Sequence, residues 1–232
     1  MPKPSLSRQP PAKFQWEYRG LKQEALSKAI LSHTVTFASG VAGTGKTAVS
    51  VFTALDLLDK GVRNGGIDRI VVTRPLVTVG SDFGFLPGDL KDKIDPFLRP
   101  VFDLVKESDH PKTQDWLYGD HSPLEGLAVE MMRGMTFHNC LVLVDEAQNL
   151  KHSQMQMLLT RVGENCRMVF TGDESQIDLK TGQSGFEHAM KILDGNDKVE
   201  HVHFTVDDVV RSDFVGDVIR AYADNPPPKG KA

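Results

Sequence analysis

One octet constrains this chain more than anything else in it. Gly40, Val41, Ala42, Gly43, Thr44, Gly45, Lys46 and Thr47 spell G-x-x-x-x-G-K-[ST] in full. An apolar run, VTFAS, precedes the octet, and the stripe Val51, Leu55, Leu58 follows it. A strand feeding a glycine turn that opens a helix is the setting this motif needs. Glycines let the backbone pass close to phosphate oxygens, and the successive N–H groups form an anion nest at the positive end of the helix. Lys46 adds a full charge for the β- and γ-phosphates, and the Thr47 hydroxyl is a Mg²⁺ ligand. A glycine-rich turn without a ligand is the alternative, and the flanking pattern disfavours it.

The rest of the chain alternates in the same way. Strands are expected at residues 70–73 (IVVT), 141–144 (LVLV), 168–171 (MVFT) and 199–204 (VEHVHF), with 127–131 (LAVEM) as a weaker candidate. Helical stripes are expected at Leu21, Ala25, Ala29; at Ile94, Leu98, Val101, Val105, with Pro96 and Pro100 limiting regularity; at Met155, Leu158, Leu159; and at Phe186, Ala189, Met190, Leu193. Residues 110–122 are polar and read as a loop or small insertion. The result is an α/β fold with a mainly parallel sheet covered on both faces. A single domain over residues 14–224 is expected, with a flexible arm at 1–13 and a flexible tail at 225–232.

Composition adds exclusions. With 232 residues, 40% hydrophobic and 25% charged, the chain is an ordinary folding one, and disordered or collagen-like classes are set aside. No apolar run approaches the ~20 residues of a membrane span, and the proline-rich start carries no signal-peptide core. No membrane partner is expected. A net charge of −4 withdraws the simple electrostatic case for nucleic acid, so any such site needs a local basic face. Cys140 and Cys166 read as reduced thiols at core edges, and a cytoplasmic location is the expectation.

Two further segments carry chemistry. LVLV ends in Asp145 and Glu146, at the sheet edge where open α/β folds bind ligands. Asp145 is the candidate Mg²⁺ holder and Glu146 the group that orients or deprotonates the attacking water. The alternative is an acidic pair opening a helix. MVFT ends in a GDESQ block, from which Gln176 is a candidate sensor of the γ-phosphate or the water; a polar turn is the alternative. His201 and His203 share a strand face, but no third ligand is evident at matching spacing, so a structural pair is the favoured reading.

These blocks resemble the PhoH-like family from about Leu21 to Ala223. GVAGTGKT is common to many ATPases. The segments at 72–103, 132–163 and 168–179 are far more specific, and 204–215 resembles the closing motif, with Ser212 and Asp213 where the family usually has His-Pro. The resemblance implies a RecA-like P-loop NTPase fold and an ATPase related to the first motor domain of superfamily 1 helicases, with ATP and Mg²⁺ as cofactors. It also implies single-stranded RNA or DNA as a partner; no nuclease activity is expected. Gln23 matches the family's adenine reader, with a surface helix residue as the alternative. Helicase motors complete their site with arginines of a second domain, so a homo-oligomer, in one form a closed ring, is implied, with Arg211 as leading trans-acting candidate. Arg74 and Arg133, set in family motifs, and Phe83 and Phe85, in a glycine-bounded loop, are candidate nucleic-acid contacts. Short stand-alone forms are common in bacteriophages, so the expected cytoplasm includes that of a phage's host. The competing function is a nucleotide-dependent switch or assembly ATPase acting on a protein partner; a small-molecule kinase is disfavoured by Glu146 and GDESQ.

Overall fold

A computed structural model describes residues 16–75, 90–180, 182–211 and 213–225. Six strands, β1 (Val35–Gly40), β2 (Arg69–Thr73), β3 (Leu124–Gly126), β4 (Cys140–Val144), β5 (Arg167–Thr171) and β6 (Val199–Phe204), form one sheet in the order β3-β2-β4-β5-β1-β6. Every pairing is parallel. The apolar runs are continuous because the central strands are buried on both faces. Alternate residues serve opposite cores: Ile70, Val72, Leu141, Leu143 and Val169 on one side, Val71, Cys140, Val142, Val144, Met168 and Phe170 on the other.

The first core is closed by α1 (Leu21–Ser32), α2 (Lys46–Lys60), α3 (Leu90–Glu107) and α4 (Thr113–Tyr118), the second by α5 (His152–Leu159) and α6 (Phe186–Ile192). A last helix, α7 (Asp213–Asp224), leaves Phe214 (75%) and Tyr222 (71%) exposed. No described helix is long and apolar enough to cross a membrane. The expected arm lies outside the described residues, as does the expected tail beyond Asn225.

Several local expectations are corrected. The weak strand at 127–131 is instead a 3-10 turn, Val129–Met132, and the strand lies just before it as β3. Only three residues long, β3 offers almost no alternation to read. The Leu21, Ala25, Ala29 stripe is not the buried face of α1: Leu21 is 86% exposed and Ala25 exposed, whereas Leu26, Ala29 and Ile30 are buried. Residues 110–122 are not simply a loop. They contain α4, and Trp116 is buried and stacks on His110 at 4.3 Å. Nor do the prolines interrupt α3, which runs through both. Burial of Leu98, Val101 and Val105 opposes the ~3 kcal/mol helix penalty of a proline. Cys140 and Cys166 are free and buried, with sulfurs 3.9 Å apart. The hydrogen bond to Cys166 and burial hold the Cys140 thiol far above its ordinary range, so it stays protonated.

Candidate active site

The carboxyl ends of β1, β2, β4 and β5 open into one cleft of ≈ 650 Å³. The octet bridges β1 and α2. Gly40 has φ 111°, and a Cβ there would run into the carbonyl of Phe204 on β6. Gly45 has φ 86°, and a Cβ would stand 2.6 Å from the Gln23 amide nitrogen. Both positions therefore demand glycine. Helix α2 starts at Lys46 with no side-chain cap, leaving its first N–H groups for an anion.

Lys46 is 8% exposed, and its ammonium donates to the carbonyls of Gly40 (2.6 Å) and Val41 (2.7 Å). Desolvation lowers its pKa below the ordinary lysine range, against the pull of Asp173, Glu174, Asp145 and Glu146. Asp145, also 8% exposed, accepts two hydroxyls on Oδ1, from Thr47 (2.9 Å) and Thr171 (2.7 Å). Thr47 and Asp145 thus meet across the cleft as two hard oxygen donors, a set suited to Mg²⁺.

Glu146 sits at the end of β4 with φ 53° and ψ 39°, a left-handed conformation that a glutamate rarely adopts. Both its oxygens are held. Arg74, from the end of β2, donates to Oε1 at 2.8 Å, and Gln148 donates to Oε2 at 2.7 Å. Gln148, 1% exposed, also bonds the Gln176 carbonyl (3.2 Å) and receives the Asp173 amide (3.2 Å). The turn after β4 is thereby tied to the turn after β5. Gln176 lines the cleft, its amide donating to Asp173 at 2.7 Å.

The remaining expected residues scatter more. Gln23 is 2% exposed; its oxygen accepts the Arg19 amide and its nitrogen donates to the Thr44 carbonyl, each at 2.9 Å. In this structure it braces the loop, with both ends of its amide hydrogen-bonded to backbone. Arg211 lines the cleft of its own chain. It follows Val210, whose amide donates to the Gly43 carbonyl (3.1 Å) and whose carbonyl accepts from Arg19 (3.2 Å). Arg74 is engaged with Glu146. Arg133 is exposed and lines a separate groove with Lys151 and Met157, away from the cleft. Phe83 and Phe85 lie outside the described residues.

Several contributors escaped the sequence reading. Asp173 accepts the Ala42 amide (3.0 Å), and Glu174 accepts the Gly40 amide (3.0 Å), so the GDESQ block holds the start of the phosphate loop. Trp16 stacks on Phe52 at 4.0 Å, and both line the cleft with Arg19. No spacing rule links Trp16 to residue 52. The carboxylates do stand in a motif, but nothing in it says which amides they would reach.

Comparison with known proteins adds kinship. The pattern of a family described as "PhoH-like protein" matches residues 16–223. A "PhoH-like protein" of Synechocystis is 42% identical over 203 residues, covering 87% of this chain and 60% of the relative. One of Bacillus subtilis is 41% identical, covering 84% and 60%. "Protein PhoH" of Escherichia coli K12 is 40% identical, covering 84% and 55%. This chain therefore spans little more than half the length of the curated relatives it matches. Among solved structures, the Pif1 helicase from Candida albicans matches 80% of this chain and 39% of its own, at TM-score 0.40 and 17% identity.

Proposed function

This chain belongs to the PhoH-like family, and we propose that it is a Mg²⁺-dependent ATPase whose hydrolysis is coupled to binding or remodelling RNA or DNA. The observation that carries this reading is the convergence on one cleft of Lys46, the Thr47–Asp145 pair and the Arg74-held Glu146.

Each residue has a defined task. Backbone amides at the start of α2 and the Lys46 ammonium bind the phosphate tail, and Lys46 exchanges its loop carbonyls for phosphate oxygens. Thr47 and Asp145 hold Mg²⁺, which when bound neutralises charge on the phosphates. Glu146, kept in one rotamer by Arg74 and Gln148, orients the attacking water and accepts its proton at a carboxylate oxygen. Gln176 and Arg211 contact the phosphate end of the nucleotide, Arg211 from its own chain. The Trp16–Phe52 wall, with Arg19 beside it, faces the base.

The test is phosphate release from ATP, with and without Mg²⁺ and with and without single-stranded RNA or DNA at several salt concentrations. Hydrolysis that needs Mg²⁺ and rises with polynucleotide, steeply salt-dependent, is expected. No hydrolysis under any condition overturns the ATPase reading. Hydrolysis indifferent to every polynucleotide moves the protein to the second reading, a nucleotide-dependent switch acting on a protein partner, which the net charge of −4 favours. Self-association remains part of the proposal. The apolar stripe of Phe214, Val218 and Tyr222 on α7, exposed at successive turns, supports it. Light scattering with and without ATP tests it, and a monomer under both conditions removes it. Mixed Arg211→Ala and Lys46→Ala chains decide the arginine's role. With Arg211 acting within its own chain, no mixture restores hydrolysis.

A further inference from the structure

Beside the phosphate loop, on its outer flank, Glu174, His201 and His203 come together with one potential ligand atom each within 4.8 Å of the others. We propose that this trio is a binding site for a divalent transition metal of the Zn²⁺ type, separate from the Mg²⁺ position at Thr47 and Asp145.

The placement follows from the topology. Strand β6 is an edge strand, and His201 and His203, two residues apart, share one of its faces. They lie in register with Phe37 and Ser39 of β1. His201 Nε2 and His203 Nδ1 both converge on the Ser39 hydroxyl, at 2.7 and 2.8 Å. A hydroxyl has one proton, so it donates to at most one of the two rings. Two imidazole nitrogens are thus already aimed at one small volume. Glu174 arrives from the turn after β5. Among the described residues it has no lysine or arginine within ion-pair distance, and the Gly40 amide takes only its Oε2. The other oxygen remains for a cation.

The donor set selects the ion. Two imidazoles and a carboxylate suit Zn²⁺, Co²⁺ or Ni²⁺, whereas Mg²⁺ prefers oxygen alone. Zinc–nitrogen bonds of about 2.0–2.1 Å require the ligand atoms to draw in from their present spacing. Both histidines are exposed at the sheet edge, where their rings have room to turn. A bound ion would join three segments at one point: the edge strand, the turn after β5 and, through Glu174 and the Gly40 amide, the first residue of the phosphate loop.

The test uses the full chain, stripped with a chelator and free of nucleotide, titrated with ZnCl₂ by calorimetry in excess MgCl₂ and followed in parallel by its melting temperature. One Zn²⁺ per chain and a raised melting temperature are expected. The His201→Ala/His203→Ala double variant should lose both signals. Glu174→Gln, whose amide oxygen can still accept from Gly40, should bind on the order of tenfold more weakly or worse. His152→Ala, which alters a different histidine pair 5.1 Å apart, should bind like the parent. No heat in the parent, or unchanged affinity and stoichiometry in the double variant, overturns the site. If the double variant does not fold, Glu174→Gln decides alone, and unchanged affinity there overturns it equally.

Discussion

The two ends of β4 adopt the same unusual backbone for different reasons. Asn139 precedes the strand with φ 51°, and Glu146 follows it with φ 53°. Asparagine tolerates the left-handed region, because its short amide finds local partners. Here the Asn139 oxygen accepts from Asn165 (3.2 Å), itself left-handed at the start of β5 with φ 48°. That end is built from residues suited to their conformation. Glutamate is not suited to it, and a non-glycine residue held there costs about 1–3 kcal/mol. It is kept in place by Arg74, from the end of β2, and by Gln148, two residues further on. Strain borne by an unsuitable residue, over-determined by its neighbours and facing a cleft, marks the chemical end of the strand.

The sharpest way to break this contrast is Glu146→Gln. Hydrolysis should fall on the order of 10²–10⁴-fold while nucleotide affinity persists, as read by single-turnover phosphate release beside a binding titration. An unchanged rate would reduce Glu146 to the same structural status as Asn139. Arg74→Ala should lower the turnover rate about tenfold, or about 1.4 kcal/mol in barrier, with little change in ATP affinity. A loss of affinity alone would make Arg74 a nucleotide contact and not a positioning residue.

The next effect is on pH dependence, again confined to the chemical end. The folded-state pKa of Lys46 is lowered. Below it the ammonium is charged and available to phosphate; above it the amine is neutral. ATP affinity should therefore fall as pH rises through the lowered value towards the ordinary lysine range, with proton uptake on binding, because phosphate draws the lysine's pKa back up. Stability of the nucleotide-free protein has the opposite sign. The cost of burying the charge is present at neutral pH and relieved as pH climbs from the lowered value towards the usual lysine value. Calorimetry in buffers of different ionisation enthalpy reads the first, and melting at the same pH values reads the second. The smallest expected effects compare the two ends directly. Glu146→Gly should be about 1 kcal/mol more stable than Glu146→Ala, since glycine accepts the left-handed backbone. Asn139→Gly should be near neutral and Asn139→Ala about 1 kcal/mol destabilised, by chemical denaturation.

How much could be read beforehand depended on distance along the chain. GVAGTGKT and LVLVDE were legible because their meaning is local: an apolar strand, then glycines or acids at its end. The octet and the Asp145–Glu146 pair stand where strand ends place them. The three-residue β3 and the true buried face of α1 were not legible, since a short edge strand barely alternates and Leu21, though apolar, points away from the core. Gln23 braces the loop and Arg211 lines the cleft, placements that no local pattern announces. Arg74 meets Glu146 because β2 and β4 are adjacent, a fact no spacing encodes.

The amino-acid order by itself determined the alternation of strand and helix, the parallel sheet and the chemistry offered at each strand end, because periodicity and glycine placement act over a few residues. Tertiary structure alone decided which offered groups meet: Arg74 with Glu146, Asp173 and Glu174 with the loop amides, and Glu174 with His201 and His203. Those meetings depend on strand order and register across the whole sheet, and burial free energy summed over two cores selects that arrangement.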